Sequence, residues 1–157
     1  MTTKTELRLL TILRGIKALE GMESAHLKKL AALATEITFA KDQIIYREGD
    51  LGDAIYFIED GQVVIEMSVS DGPPIKMYPV ESGQLFGWSA LFPPRRKQAR
   101  ARAIVPTHVI AINAARLREA FRADQGLENA LIQRVNEVIA DRLAVTRQQL
   151  TNTFQTS

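Results

Sequence analysis

The chain has 157 residues, with 46% hydrophobic and 24% charged residues and a formal net charge of +2. That composition excludes wholesale disorder and a fibrous repeat. No stretch approaches the roughly 20 apolar residues of a membrane span, so no membrane association is expected. Cysteine is absent, which excludes disulfides and thiol catalysis and fits a cytoplasmic location. The N-terminal stretch MTTKTELRLLTILRG has neither the apolar run nor the cleavage site of a signal peptide.

One domain over 1–157 is expected, in three zones. Residues 4–35 read as helical: Leu7, Leu10, Leu13 and Ile16 keep helical spacing, as do Leu27, Leu30, Leu33 and Ala34. Gly21 separates the two runs, and Ser24 is placed to cap the second. Residues 36–113 read as strands. The β-rich runs EITFA, QIIYREG, AIYFIEDG, QVVIEMSV, IKMYPV, ARARAIV and THVIAIN are separated by turn signals, among them Gly49-Asp50, Asp60-Gly61 and Ser82-Gly83. Short strands at this spacing indicate an antiparallel barrel or sandwich. Asp71-Gly72 is a hairpin candidate, with Pro73 and Pro74 continuing the turn. Strict alternation from Ala99 to Ala103 turns Ala99, Ala101 and Ala103 inward and Arg100 and Arg102 outward. The small inward residues leave room, either for a ligand or for larger neighbours such as Phe86 and Tyr56.

Residues 114–154 read as helical again. A short segment, AARLREAF, ends at Asp124-Gln125-Gly126, and a long helix follows from about Leu127 to Phe154. Ile132, Val135, Ile139, Leu143, Thr146 and Leu150 fall at spacings of three and four, beside an adjacent stripe of Leu131, Val138, Arg142 and Val145. Two neighbouring stripes suggest a second packing partner, most simply the same helix of another subunit, with Ile132, Val135, Ile139, Leu143 and Leu150 as the dimerisation residues. The alternative is that both pack on the chain's own N-terminal helices.

Catalytic machinery is scarce. The only histidines, His26 and His108, lie about eighty residues apart, on a helix and a strand, so a cupin-like metal site is not expected. Nucleophile-elbow, P-loop and dinucleotide-binding motifs are all absent. The carboxylates Asp50, Asp53, Glu59 and Asp60 flank glycines, as turn residues do. No enzymatic activity and no cofactor are expected. Charge concentrates in residues 95–102, RRKQARAR, with five bases and no acid. The stretch is either a solvated face or an anion site. Just before it, Gly87 and the small Ser89-Ala90 suit a tight turn opening a short helix, whose free N–H groups cradle a phosphate.

At this point the residues match a family. The order Gly49-Asp50-x-Gly52-Asp53, then Ile55-Tyr56-Phe57-Ile58-x-x-Gly61-x-Val63, then Gly83-x-x-Phe86-Gly87-x-x-Ala90-Leu91, then Ala99-x-Ala101-x-Ala103 resembles the cyclic-nucleotide-binding domain, in the catabolite activator protein branch. The resemblance implies a mainly β fold: an eight-stranded jelly-roll barrel with N-terminal helices and a long C-terminal dimerisation helix over 127–150. It implies a homodimer. It also implies a phosphate-binding cassette over 86–99, comprising Phe86, Gly87, Trp88, Ser89, Ala90, Arg96, Lys97, Gln98 and Ala99. Its backbone donors fall at Ser89 and Ala90, and the adenine-contacting threonine falls on Thr146.

Two departures stand out. Trp88 replaces the cassette glutamate that accepts from the ribose hydroxyl, and Trp has only an N–H donor. Lys97 replaces the phosphate-binding arginine, and a point charge loses the bidentate grip. Two readings stay open: a stand-alone sensor for a cyclic nucleotide or other anion, or a ligand-free dimeric module that binds another protein. Transcription regulators of that branch carry a helix-turn-helix after the long helix. Here seven residues follow Leu150, so sequence-specific DNA binding is not expected.

Overall fold

The computed structural model describes residues 3–155. Helix α1 (Lys4–Arg14), a short 3-10 turn (Lys17–Leu19) and helix α2 (Ser24–Leu33) precede eight strands. These are β1 (Ala34–Phe39), β2 (Ile44–Tyr46), β3 (Ala54–Asp60), β4 (Gln62–Val69), β5 (Gly72–Glu81), β6 (Leu85–Phe86), β7 (Arg100–Ala103) and β8 (Thr107–Asn113). A second 3-10 turn, Trp88–Leu91, lies between β6 and β7. Helices α3 (Ala114–Ala123) and α4 (Gln125–Gln155) follow. The strands form two antiparallel four-stranded sheets, in the orders β1-β8-β3-β6 and β2-β7-β4-β5. The fold is a jelly-roll barrel with flanking helices, as the sequence implied.

Strand alternation explains how the layers join. In β3, Ile55 and Phe57 point to the helical layer, while Tyr56 and Ile58 point into the barrel. β8 does the same with Ile110 and Ile112 on one side and Val109 and Ala111 on the other. Both strands are therefore buried on two faces, which is why AIYFI and VIAI are unbroken apolar runs. The helix-side core gathers Leu9, Leu13, Leu30, Leu117, Leu127 and Leu131 against this sheet. In the opposite sheet, Val63 pairs Ala103 and Ile65 pairs Ala101 on the inward face. Glu66 and Arg100 pair on the outward face. Glu66 is buried there, and accepts from Arg100 Nε at 3.1 Å and Arg102 Nε at 3.0 Å. Arg102 also donates to Asp42 at 2.9 Å. The outward arginines of the basic run are thus neutralised within the chain.

Several local expectations are corrected. Ser24 is the first residue of α2 and not its cap; its hydroxyl accepts from Arg14 Nη2 at 2.8 Å. The β4–β5 hairpin turns at Ser70-Asp71, and Gly72, Pro73 and Pro74 already belong to β5. Proline is tolerated because β5 is a sheet edge. Only Asp124 interrupts α3 and α4. Its Oδ1 accepts from the backbone N–H of Leu127 at 3.1 Å, and Asn113 caps α3 in the same manner.

The stripe assigned to a dimer face divides. Val135 is wholly buried in the chain's own core beside Leu127 and Leu131, which corrects its place on that face. Ile132 and Ile139 are half-buried against the same core. Leu143 and Leu150 remain 50% and 55% exposed. None of the described helices is long and apolar enough to cross a membrane. Val135→Ala is expected to destabilise the fold by about 2 kcal/mol. Urea unfolding over a range of protein concentrations checks this: the loss stays the same at every concentration, since the contact lies within one chain.

Candidate functional site

The site begins where β6 ends. Gly87 adopts φ +83, and a Cβ there would lie 3.0 Å from Tyr56 Cδ2 and 3.2 Å from the Ala54 carbonyl oxygen. Only glycine lets the chain turn sharply so close to β3. The turn Trp88–Leu91 follows, held from behind by the loop before β3. A Cβ on Gly52 would lie 2.8 Å from Ala90 Cα, so that glycine allows the two backbones to meet. The chain then runs back along the 49–52 loop: Gly52 N–H donates to the Arg95 carbonyl and Lys97 N–H to the Asp50 carbonyl. This doubling fixes the 95–97 segment at the barrel mouth.

A cavity of about 360 Å³ opens there, at the small end of ligand pockets. Gly87, Trp88, Ser89, Arg96, Lys97, Gln98 and Ala99 all line it, so most of the expected cassette does come together. Tyr46, Ile65, Tyr78, Phe92, Pro93, Pro94, Arg95 and, from α4, Ile139 complete the wall. The lining carries no carboxylate. Below the cavity the barrel is filled by rings: Tyr56 stacks on Phe86 at 4.9 Å between centroids, with Tyr46 at 6.3 Å from Phe86. These rings take the room beside Ala101 and Ala103. Trp88 is half-buried and packs on the helix-side core while presenting to the cavity, which it does not fill.

Three expected residues lie elsewhere. Phe86 is fully buried and belongs to the ring stack beneath the cavity. Ala90 is buried in the helix-side core, and its N–H is engaged by the Gly87 carbonyl at 3.2 Å. That leaves the N–H groups of Trp88 and Ser89, the first of the turn, without an intrahelical acceptor. Thr146 is half-buried and donates to the Arg142 carbonyl of its own helix at 2.9 Å, and it is not among the cavity-lining residues. Tyr46, Ile65 and Tyr78 were missed by sequence reasoning. Their signal was strand parity: Ile65 shares the inward face of β4 with Val63, and Tyr78 is its register partner on β5.

Lys97 decides the electrostatics. It is only 4% exposed. Its ammonium donates to the Gly87 carbonyl at 3.0 Å and lies 4.3 Å from the centre of the Tyr46 ring. Burial lowers its pKa to about 8, against the opposing pull of Asp53. Burial also raises the phenols, that of Tyr46 strongly and that of Tyr56 to about 12. Arg96 is exposed and donates to the Gly49 carbonyl at 3.1 Å. α4 reaches the cavity wall through Arg142, whose guanidinium lies 4.2 Å from the Tyr78 ring centre. Gln149 adds a hydrogen bond to the Met77 carbonyl at 3.0 Å.

The lowered Lys97 has a consequence for stability. The folded chain releases this proton at about 8, the unfolded chain near the ordinary 10.5. Between those values the unfolded state holds more protons, so stability rises with pH. The rise ends above pH 10, where the raised Tyr56 begins to act in the opposite direction. Thermal unfolding from pH 7 to 10 is therefore expected to show a midpoint rise of a few degrees, on the order of 2–4 °C per kcal/mol at this size. Lys97→Met is expected to raise the midpoint at pH 7 and remove the rise. An unchanged pH profile in Lys97→Met would refute this account of the buried ammonium.

Comparison with known proteins identifies the fold and the family. The family profile of the cyclic nucleotide-binding domain matches residues 36–124, more than half of the chain. A cyclic nucleotide-binding domain from Methylobacillus flagellatus shares the fold, with a TM-score of 0.79 and 18% identity over 96% of this chain and 84% of that one. The regulatory domain of Toxoplasma gondii protein kinase A, solved with cyclic AMP, has a TM-score of 0.69 and 26% identity over 85% of this chain and 51% of that one. The CRP-like cAMP-activated global transcriptional regulator of Mycobacterium tuberculosis is 23% identical over 131 residues, 83% of this chain. The chain spans 57% of the length of that curated relative. Because that profile covers more than half of the chain, and the barrel it describes is the fold observed, the chain belongs to the cyclic nucleotide-binding domain family.

Proposed function

We propose that the chain is a regulatory module, not an enzyme, whose barrel mouth binds a cyclic nucleotide or a related anionic nucleotide and signals through α4. The observation that carries this reading is the cavity of about 360 Å³ walled both by the 87–99 loop and by Ile139 of α4. A ligand there touches the helix directly, so occupancy biases the helix position. Arg95, Arg96 and Lys97 with no carboxylate select an anion. Trp88 offers a ring face for stacking where the family's glutamate would bind a ribose hydroxyl. The relatives from Mycobacterium tuberculosis and Toxoplasma gondii, whose descriptions name cyclic AMP, support this ligand class. The exposed Leu143 and Leu150 support a homodimer through the outer half of α4.

A second reading has its own support. The Lys97 ammonium already holds the Gly87 carbonyl and the Tyr46 face, as expected of a ligand-free interaction module. Thermal unfolding with millimolar cyclic AMP, cyclic GMP, cyclic dinucleotides and phosphate separates the two. Ligand at about 100 times its Kd stabilises by roughly 2.7 kcal/mol, a rise of several degrees. The sensor reading expects that rise with a nucleotide and its loss in Lys97→Ala. The interaction-module reading expects no shift with any of them.

The dimer is tested separately by sedimentation velocity. Leu143→Asp with Leu150→Asp is expected to yield a monomer with an unchanged circular dichroism spectrum. A dimer surviving the double substitution places the interface elsewhere.

A further inference from the structure

Cationic groups continue past the cavity. On α3, Arg118 is half-buried and donates from Nη1 to the Ala90 carbonyl at 2.8 Å, which ties the helix to the Trp88–Leu91 turn. Arg122 follows one turn later on the same helix face and is exposed. Arg95, just beyond the turn, lines the cavity. Burial together with the charges of Arg95 and Arg122 holds the Arg118 guanidinium below the usual arginine range. None of the three forms an ion pair among the described residues. The buried Nε of Arg95 has no hydrogen-bond partner. Like charges gathered without a counter-charge destabilise a fold, and an anion reverses that.

We infer that the anion site continues out of the barrel, past Arg95 to Arg118 and Arg122, and that the ligand is a nucleotide carrying a second phosphate outside the cavity. This rests on the reading of the cavity as a nucleotide site. One nucleotide unit occupies the cavity, and the second phosphate meets the guanidiniums of α3, which suit bidentate phosphate contacts. Cyclic dinucleotides and nucleoside bisphosphates have this chemistry. A small molecule fits better than a nucleic-acid backbone. Arg95 belongs to the cavity wall, Arg100 and Arg102 are already paired with Glu66, and the chain's net charge is only +2.

Isothermal titration of the full chain at fixed ionic strength tests this, with cyclic AMP and cyclic GMP against cyclic di-GMP and adenosine 3′,5′-bisphosphate. At least one doubly phosphorylated probe is expected to bind about tenfold more tightly than either mononucleotide. Arg122→Glu is expected to remove that advantage and leave mononucleotide affinity unchanged. Arg118→Gln is expected to do the same; because it also breaks the bond to Ala90, the exposed Arg122 is the variant that decides. Equal affinities, or an advantage that persists in Arg122→Glu, overturn the inference while the cavity reading stands. If no probe binds at all, the cavity reading falls and the inference with it. Salt-sensitive binding of random duplex DNA lost in Arg122→Glu, without any preference for bisphosphates, makes the arginines a nucleic-acid surface and also overturns it.

Discussion

The structure depends on β3 and β8 being buried on both faces. Their alternate side chains serve two cores at once, Ile55, Phe57, Ile110 and Ile112 toward the helices and Tyr56, Ile58, Val109 and Ala111 toward the barrel. A displacement in either layer is therefore felt in the other, because close-packed interiors transmit strain instead of absorbing it. The cassette turn sits at the end of this shared wall. Gly87 abuts Tyr56 and Ala54 of β3, and Ala90 enters the helix-side core. The barrel mouth is thus connected to the helices by packing as well as by the open face of α4.

Most of the architecture was legible because local and tertiary signals agree. Each β-rich run became a strand, and the break between α3 and α4 fell at Asp124, where a capping carboxylate is in place. The exceptions have physical causes. Pro73 and Pro74 read as a turn by composition, yet an edge strand tolerates their missing donors. Ser24 had an alternative partner in Arg14, so its hydroxyl left the helix terminus. β6 has two residues and carries no periodicity to detect.

The site was legible in its backbone and less so in its side chains. Glycine and alanine positions are set by steric room, which sequence order records faithfully; Gly87 and Gly52 sit where a Cβ would crowd its neighbours, and Ala101 is fully buried. Hydrogen-bond partners are set by three-dimensional competition. The Ala90 N–H was lost to the Gly87 carbonyl and the Thr146 hydroxyl to its own helix. The inward direction of Lys97 followed from parity with Ala99, but its partners Gly87 and Tyr46 did not. Arg118, distant in sequence from the cassette, was found only because α3 packs beneath the turn.

These contacts give α4 two roles along its length. Its first half is part of the monomer: Leu127, Leu131 and Val135 are fully buried, and Arg134 donates to the Glu20 carbonyl at 3.0 Å. Contacts of its second half include Arg142 on Tyr78, Gln149 on Met77 and the half-buried Val145 and Thr146. A cation–π contact and an exposed hydrogen bond are weak beside three buried aliphatic side chains. The first half of the helix therefore carries more of the monomer's packing than the outer half. Tyr78 is both a wall of the cavity and the seat of Arg142, so the cavity and the outer half of α4 share one side chain.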